Sequence, residues 1–194
     1  MTSQEAFLQE LVQKMNEHDI PYMITGSISS SLHGYPRATQ DIDIVIAPTE
    51  KQLINFVESL GSDYYASIDA ARNAFVHDSM FNIIDNKYSW KADFIIRKKR
   101  PFSILEFERR CLSRIKDSEV WVTSPEDTIL SKLEWAKDSQ SEKQFSDILG
   151  VILVHGENID MNYLQKWARE LNVEDSLEQL LKQAETIIKF HPNK

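Results

Sequence analysis

Cysteine is nearly absent from this 194-residue chain: Cys111 stands alone, which excludes an intrachain disulfide and a cysteine-based zinc site. The five histidines are scattered without a His-x-x-x-His spacing, so a histidine zinc site is not expected either. No apolar run approaches the length of a membrane span, and residues 1–10 lack the basic and apolar blocks of a signal peptide. A soluble cytoplasmic protein with no membrane partner is the expectation. Positive charge is also in short supply. With 22 Lys and Arg against 30 Asp and Glu, the net charge is −8, and the surface as a whole repels nucleic acid. No internal repeat, low-complexity segment or Gly/Pro-rich linker breaks the chain.

What is present is a packed core's worth of apolar residues (42%, with 4 Trp) and a clear change of pattern along the chain. Helical spacing over 4–18 (Phe7, Leu8, Leu11, Val12, Met15) ends before Pro21. Residues 22–25 read as a strand, 27–33 as a short helix closed by Gly34, and 42–46 as a strand ending near Pro48. Thr49 caps a helix over 50–60. Strands follow at 80–84 and 91–96 around the turn-like Asp85-Asn86-Lys87, then a helix over 102–110 and a strand at 119–122. Ser124-Pro125-Glu126-Asp127 is a helix start, with a capping serine, proline in the first turn and acids at the positive end of the dipole. From there the spacing is helical: 126–137, 142–154, 161–171 and 177–190. The reading is an α+β domain over 1–123 and a helical domain over 124–194. Trp121, Trp135 and Trp167 are expected in the core.

The chemistry concentrates at Asp41-Ile42-Asp43. On a strand, positions i and i+2 share a face, so the two carboxylates lie together while Ile42 and Ile44 face the other way. Two like charges side by side are costly unless a cation joins them, and a hard divalent ion with oxygen ligands is the natural one. Asp93, again a charge inside an apolar strand, is the third carboxylate. It would complete a metal shell and accept the proton of an attacking hydroxyl. Gly26-Ser27, between a strand and a helix, offers backbone N–H groups and a hydroxyl for phosphates. Arg37 and Thr39 either touch phosphate or shape the loop before Asp41, and Arg37 is equally readable as a solvated loop charge. The basic run Arg97-Lys98-Lys99-Arg100 either binds a triphosphate or RNA acceptor or is a solvated loop. His33 either lines the phosphate turn or is simply a helix-end histidine, and Tyr88 and Trp90 are candidates for stacking on a base.

Gly26-Ser27, then Arg37 to Asp43, then Asp93, resembles the signature of the polymerase-β-like nucleotidyltransferase superfamily. The later residues Ser124 to Asp127, Lys132-Leu133 and 143–148 are similar to its AbiE-type branch, which contains toxins of toxin–antitoxin and phage-defence systems. Gln144 stands where that branch often has Asp. The resemblance implies a nucleotidyltransferase-like mixed sheet with flanking helices followed by a helical domain, an NTP donor, and Mg2+ or Mn2+ as cofactor. It implies phosphate contacts from Lys132 and an active-site role for Asp147.

The function expected is Mg2+-dependent transfer of an NMP from an NTP to an acceptor hydroxyl on tRNA, protein or a small molecule. Asp41, Asp43, Asp93 and Asp147 would be catalytic, Gly26, Ser27, Arg37 and Lys132 nucleotide-binding, and a cognate antitoxin a partner. The alternatives are a catalytically silent nucleotide-binding or regulatory partner, and a hydrolase with water as acceptor.

Overall fold

The computed structural model of the protein describes residues 3–116, 118–139 and 141–190; residues 1–2 and 191–194, at the ends of the two expected parts, lie outside it. In chain order the elements are α1 (Gln4–Glu17), β1 (Tyr22–Thr25), α2 (Gly26–His33), β2 (Asp41–Ile46), α3 (Glu50–Ser59), β3 (Tyr64–Ala66), α4 (Ile68–Val76), β4 (Met80–Asp85) and β5 (Lys91–Ile96). They continue as α5 (Pro101–Glu108), β6 (Cys111–Ile115), β7 (Ser118–Val122), α6 (Pro125–Ser139), α7 (Glu142–His155), α8 (Met161–Glu170) and α9 (Glu174–Phe190). They fall into two compact units, Met1–Thr25 with Ala38–Thr123, and Gly26–Arg37 with Ser124–Lys194.

The first unit holds a mixed seven-stranded sheet in the order β3-β4-β5-β2-β1-β7-β6. Strand β2 lies between antiparallel β1 and parallel β5. One face of the sheet is apolar: Ile42, Ile44 and Ile46 of β2 and Phe94 of β5 are buried to 5% exposure or less, as are Phe81 and Ile83 of β4. Helix α3 contributes Leu53, Phe56 and Val57 to the same core, and the Phe94 ring lies 5.4 Å from both Phe56 and Phe81. Each such side chain contributes roughly 1.5–3 kcal/mol by leaving water. The start of α3 is the expected one, with Thr49 accepting from the Gln52 backbone N–H at 3.3 Å and donating its own N–H to the Gln52 side chain at 2.8 Å.

The mixed sheet with flanking helices and the helical C-terminal region agree with the sequence reading. Three elements do not appear in that reading: β3, α4 and β6. In the basic run 97–100, Lys98 and Lys99 are exposed while Arg97 and Arg100 are half-buried. Arg97 stacks its guanidinium over Phe107 at 5.6 Å from the ring centroid, and Arg100 over Phe102 at 5.6 Å. Of the tryptophans expected in the core, Trp167 is buried, but Trp135 is 67% exposed. The buried apolar residues described in α6 are Ile129, Leu130, Leu133 and Ala136, which make a helical stripe that leaves position 135 outside it.

The second unit is helical. Helix α2 begins at Gly26, whose φ of +62° lies in the left-handed region that favours glycine. The α6 start has Ser124 Oγ accepting from the Asp127 N–H at 3.2 Å and donating to the Asp127 carboxylate at 2.7 Å. Helices α2 and α7 come together at two glycines. A Cβ on Gly34 would lie 2.8 Å from Val151 N and 2.9 Å from the Gly150 carbonyl carbon, backbone that cannot yield cheaply. Gly34→Ala should therefore destabilise this unit by about 1–3 kcal/mol, read as a lower urea midpoint. Among the described residues no helix is long and apolar enough to cross a membrane.

Candidate functional site

In the first unit, alternation along β2 sends Ile42, Ile44 and Ile46 into the core and leaves Asp41, Asp43 and Val45 on the opposite face. The parallel register with β5 sets Lys91 opposite Asp41 and Asp93 opposite Asp43. On the other sides, β1 sets Thr25 opposite Asp43 and β4 sets Asn82 opposite Asp93. A polar row, Asn82-Asp93-Asp43-Thr25, thus crosses four neighbouring strands, with about 4.8 Å between strands. Thr25 is the residue immediately before Gly26 in the chain.

The row carries two carboxylates side by side, with Asp41 two residues from Asp43 on the same face. Lys91 answers that charge. Its ammonium lies 3.1 Å from Asp93 Oδ2 and 3.7 Å from Asp41 Oδ1. The hydrogen bond to Asp93 is the largest cause raising its pKa, opposed by burial and helped by the charges of Asp93 and Asp41. Asp93 is 8% exposed, and its Oδ1 accepts from the Asn82 side-chain amide. Thr39 donates its hydroxyl to the Asp41 carbonyl at 3.2 Å, the loop-shaping contact that was one of its two readings.

These residues fit a hard divalent ion. They supply only oxygen donors, and a lysine cation already stands between two of them. Among the described residues no three His, Cys, Asp or Glu side chains are gathered as a ready-made shell. Mg2+ does not require one, because it is usually held by one or two carboxylates together with substrate phosphates and water.

In the second unit, Ser27, Arg37, Lys132 and Asp147 come together. Arg37 grips Asp147 with a two-pronged contact, Nε to Oδ1 and Nη2 to Oδ2, both at 2.7 Å. The same Nη2 donates to Ser27 Oγ at 2.5 Å. From α6, Lys132 donates to Asp147 Oδ2 and to Gln144 Oε1, both at 2.8 Å, and is only 5% exposed. Burial pushes the Asp147 carboxyl up, but the Arg37 and Lys132 hydrogen bonds and charges outweigh it and hold the pKa at about 2. Two cations share one carboxylate here, so the cluster of Arg37, Lys132 and Asp147 carries a net positive charge. His33, at the end of α2, is buried with its ring 5.4 Å from that of His155.

Asn82, Lys91 and Gln144 are not among the residues to which the sequence alone assigns a role. Lys91 sits two residues before Asp93, and Asn82 sits between Phe81 and Ile83, so strand alternation alone assigns both to the polar face. The Gln144 contact with Lys132 joins two helices and has no comparable local signal.

A family model described as "nucleotidyltransferase of unknown function (DUF6036)" matches residues 4–190. The chain belongs to this family. The nucleotidyltransferase membership accords with solved structures. The antibiotic-resistance factor ANT(2'')-Ia in solution aligns over 98% of this chain and 100% of its own, with a TM-score of 0.57 at 14% identity. ANT(2'')-Ia crystallised with adenylyl-2''-tobramycin aligns over 87% and 97%, with a TM-score of 0.58 at 14% identity. An antigenic nucleotidyltransferase-like protein from Paracoccidioides brasiliensis aligns over 92% of both chains, with a TM-score of 0.52 at 19% identity. At these identities the likeness is one of fold. No curated protein matches the chain.

Proposed function

We propose that this DUF6036 nucleotidyltransferase transfers an NMP from an NTP to an acceptor hydroxyl in an Mg2+-dependent reaction. The hydroxyl oxygen attacks the α-phosphorus, the bond to the bridging oxygen breaks, and pyrophosphate leaves. The observation that carries this reading is the strand register that aligns Asp43 with Asp93 on the face that also bears Asp41.

Asp41, Asp43 and Asp93 would hold the metal, Mg2+ or Mn2+, whose charge, when bound, neutralises the triphosphate. Asp93 accepts the proton of the acceptor hydroxyl. Lys91 and Asn82 engage its two oxygens, yet each carboxylate oxygen has a second lone pair free for that proton. Gly26, Ser27, Arg37 and Lys132 bind phosphate, with the net positive charge of the Arg37–Lys132–Asp147 cluster in their favour. Asp147 presents those two cations rather than taking a proton itself, since they hold its carboxyl at about 2, far below the range of a useful base. The likeness of 124–127, 132–133 and 143–148 to the AbiE-type branch supports a toxin or phage-defence role with a cognate antitoxin.

The test is incubation with Mg2+ and each α-labelled NTP, with total RNA, protein lysate and an aminoglycoside panel as acceptors. The small molecules belong in the panel because ANT(2'')-Ia is seen with an adenylylated aminoglycoside. Label on one acceptor class, lost in an Asp41→Ala/Asp43→Ala double variant, is the expected result. Binding of NTP without transfer to any acceptor would point to the silent, regulatory role instead, and labelled NMP released without an acceptor would point to hydrolysis.

A further inference from the structure

We propose that Lys91 is a built-in counter-cation of the carboxylate site, which a divalent ion must compete with, so that this one residue sets the metal affinity. The inference rests on the metal-dependent reading given above. Asp41 and Asp93 stand on adjacent parallel strands, and Lys91 Nζ is within 3.7 Å of one and 3.1 Å of the other. The lysine is opposite Asp41 in register and two residues before Asp93, so its backbone cannot carry it away from this face. Its side chain is 37% exposed, leaving the ammonium room to swing into water when its place is taken. A flexible four-carbon stem with a compact, strongly hydrated charge suits a group that must hold carboxylates and then release them; a planar arginine would form a more rigid fork.

Two consequences follow. Without metal, Lys91 relieves the repulsion among Asp41, Asp43 and Asp93, so removing it should lower the melting temperature of the metal-free protein. With metal, the single positive charge opposes the double one a few ångströms away, so removing it should tighten binding. In a water-like dielectric that repulsion corresponds to about a tenfold change in Kd.

Mn2+ binding to the full chain, followed by titration calorimetry and by loss of the free-ion EPR signal, tests this without reference to turnover. The proteins compared are wild type, Lys91→Met, Lys91→Gln, Lys91→Arg and Asp43→Asn; two neutral variants are used in case one does not fold. The expected result is about tenfold tighter Mn2+ binding in the neutral variants and no tightening in Lys91→Arg. Their metal-free melting temperature should fall below wild type and rise to meet it at saturating Mn2+. Equal or weaker binding in the neutral variants, with binding still lost in Asp43→Asn, overturns the role of Lys91 and leaves the metal site standing. Absence of binding in wild type, or binding unchanged in Asp43→Asn, overturns the metal reading and this inference with it.

Discussion

Asp43→Asn should reduce nucleotidyl transfer by at least about a thousandfold while leaving the fold intact. Asp43 is the residue on which the polar row converges, flanked by Thr25 of β1 and Asp93 of β5. Asparagine keeps the shape and a carbonyl oxygen but removes the negative charge, and with it several kcal/mol of charge stabilisation at the metal; each 1.36 kcal/mol is a factor of ten in rate. The apolar face behind it, Ile42 and Ile44, is untouched, so circular dichroism and the melting curve should match wild type or show a small gain from relieved carboxylate repulsion. Transfer within tenfold of wild type in a folded Asp43→Asn protein would refute the proposed chemistry.

The second large effect is on stability. Asp147→Ala should cost about 3–5 kcal/mol, because it removes the partner of two cations and leaves Lys132 buried at 5% exposure facing Arg37. Urea unfolding of wild type and variant measures it. The pH dependence has a definite sign. The Asp147 carboxyl is held at about 2, below its usual 3.8, so folding favours the charged form. Its contribution, on the order of 2 kcal/mol, is complete above about pH 4 and is lost as pH falls through 2. The stability difference between wild type and Asp147→Asn should therefore shrink across that window and be flat above it. A difference that persists undiminished at pH 2 would mean the ion pairs do not carry it.

How much of this was legible in the sequence follows the range of the forces involved. The strand at Asp41–Ile46 announces itself by period-two alternation of acids and β-branched residues, and the helix starts at Thr49 and Ser124 are made by side chains three residues from their partners. Strand β3 is three residues long, too short to show a period. Helix α4 buries only Ala71 and Ala74 and leaves Val76 70% exposed, so its apolar stripe is faint. Strand β6, at the edge of the sheet, exposes Leu112 at 55% and buries no residue fully. For the candidate residues, Asp41, Asp43 and Asp93 stand out because charge inside apolar strands is rare. The Arg37–Asp147 contact spans 110 positions, and nothing local to either residue encodes it. That Gly26–Arg37 groups with Ser124–Lys194 is likewise a product of contacts distant in sequence.

Because the side-chain period of a strand is two, the register of β5 on β2 works as an all-or-none lock. A slip of one residue would turn Asp93 into the layer occupied by Phe56 and Phe81 and push Ala92 and Phe94 out toward water. A slip of one residue therefore cannot misalign the carboxylates and leave the core sound. For this protein, then, a one-residue error at this pairing would show as a loss of folded molecules rather than as displaced acids in a sound core.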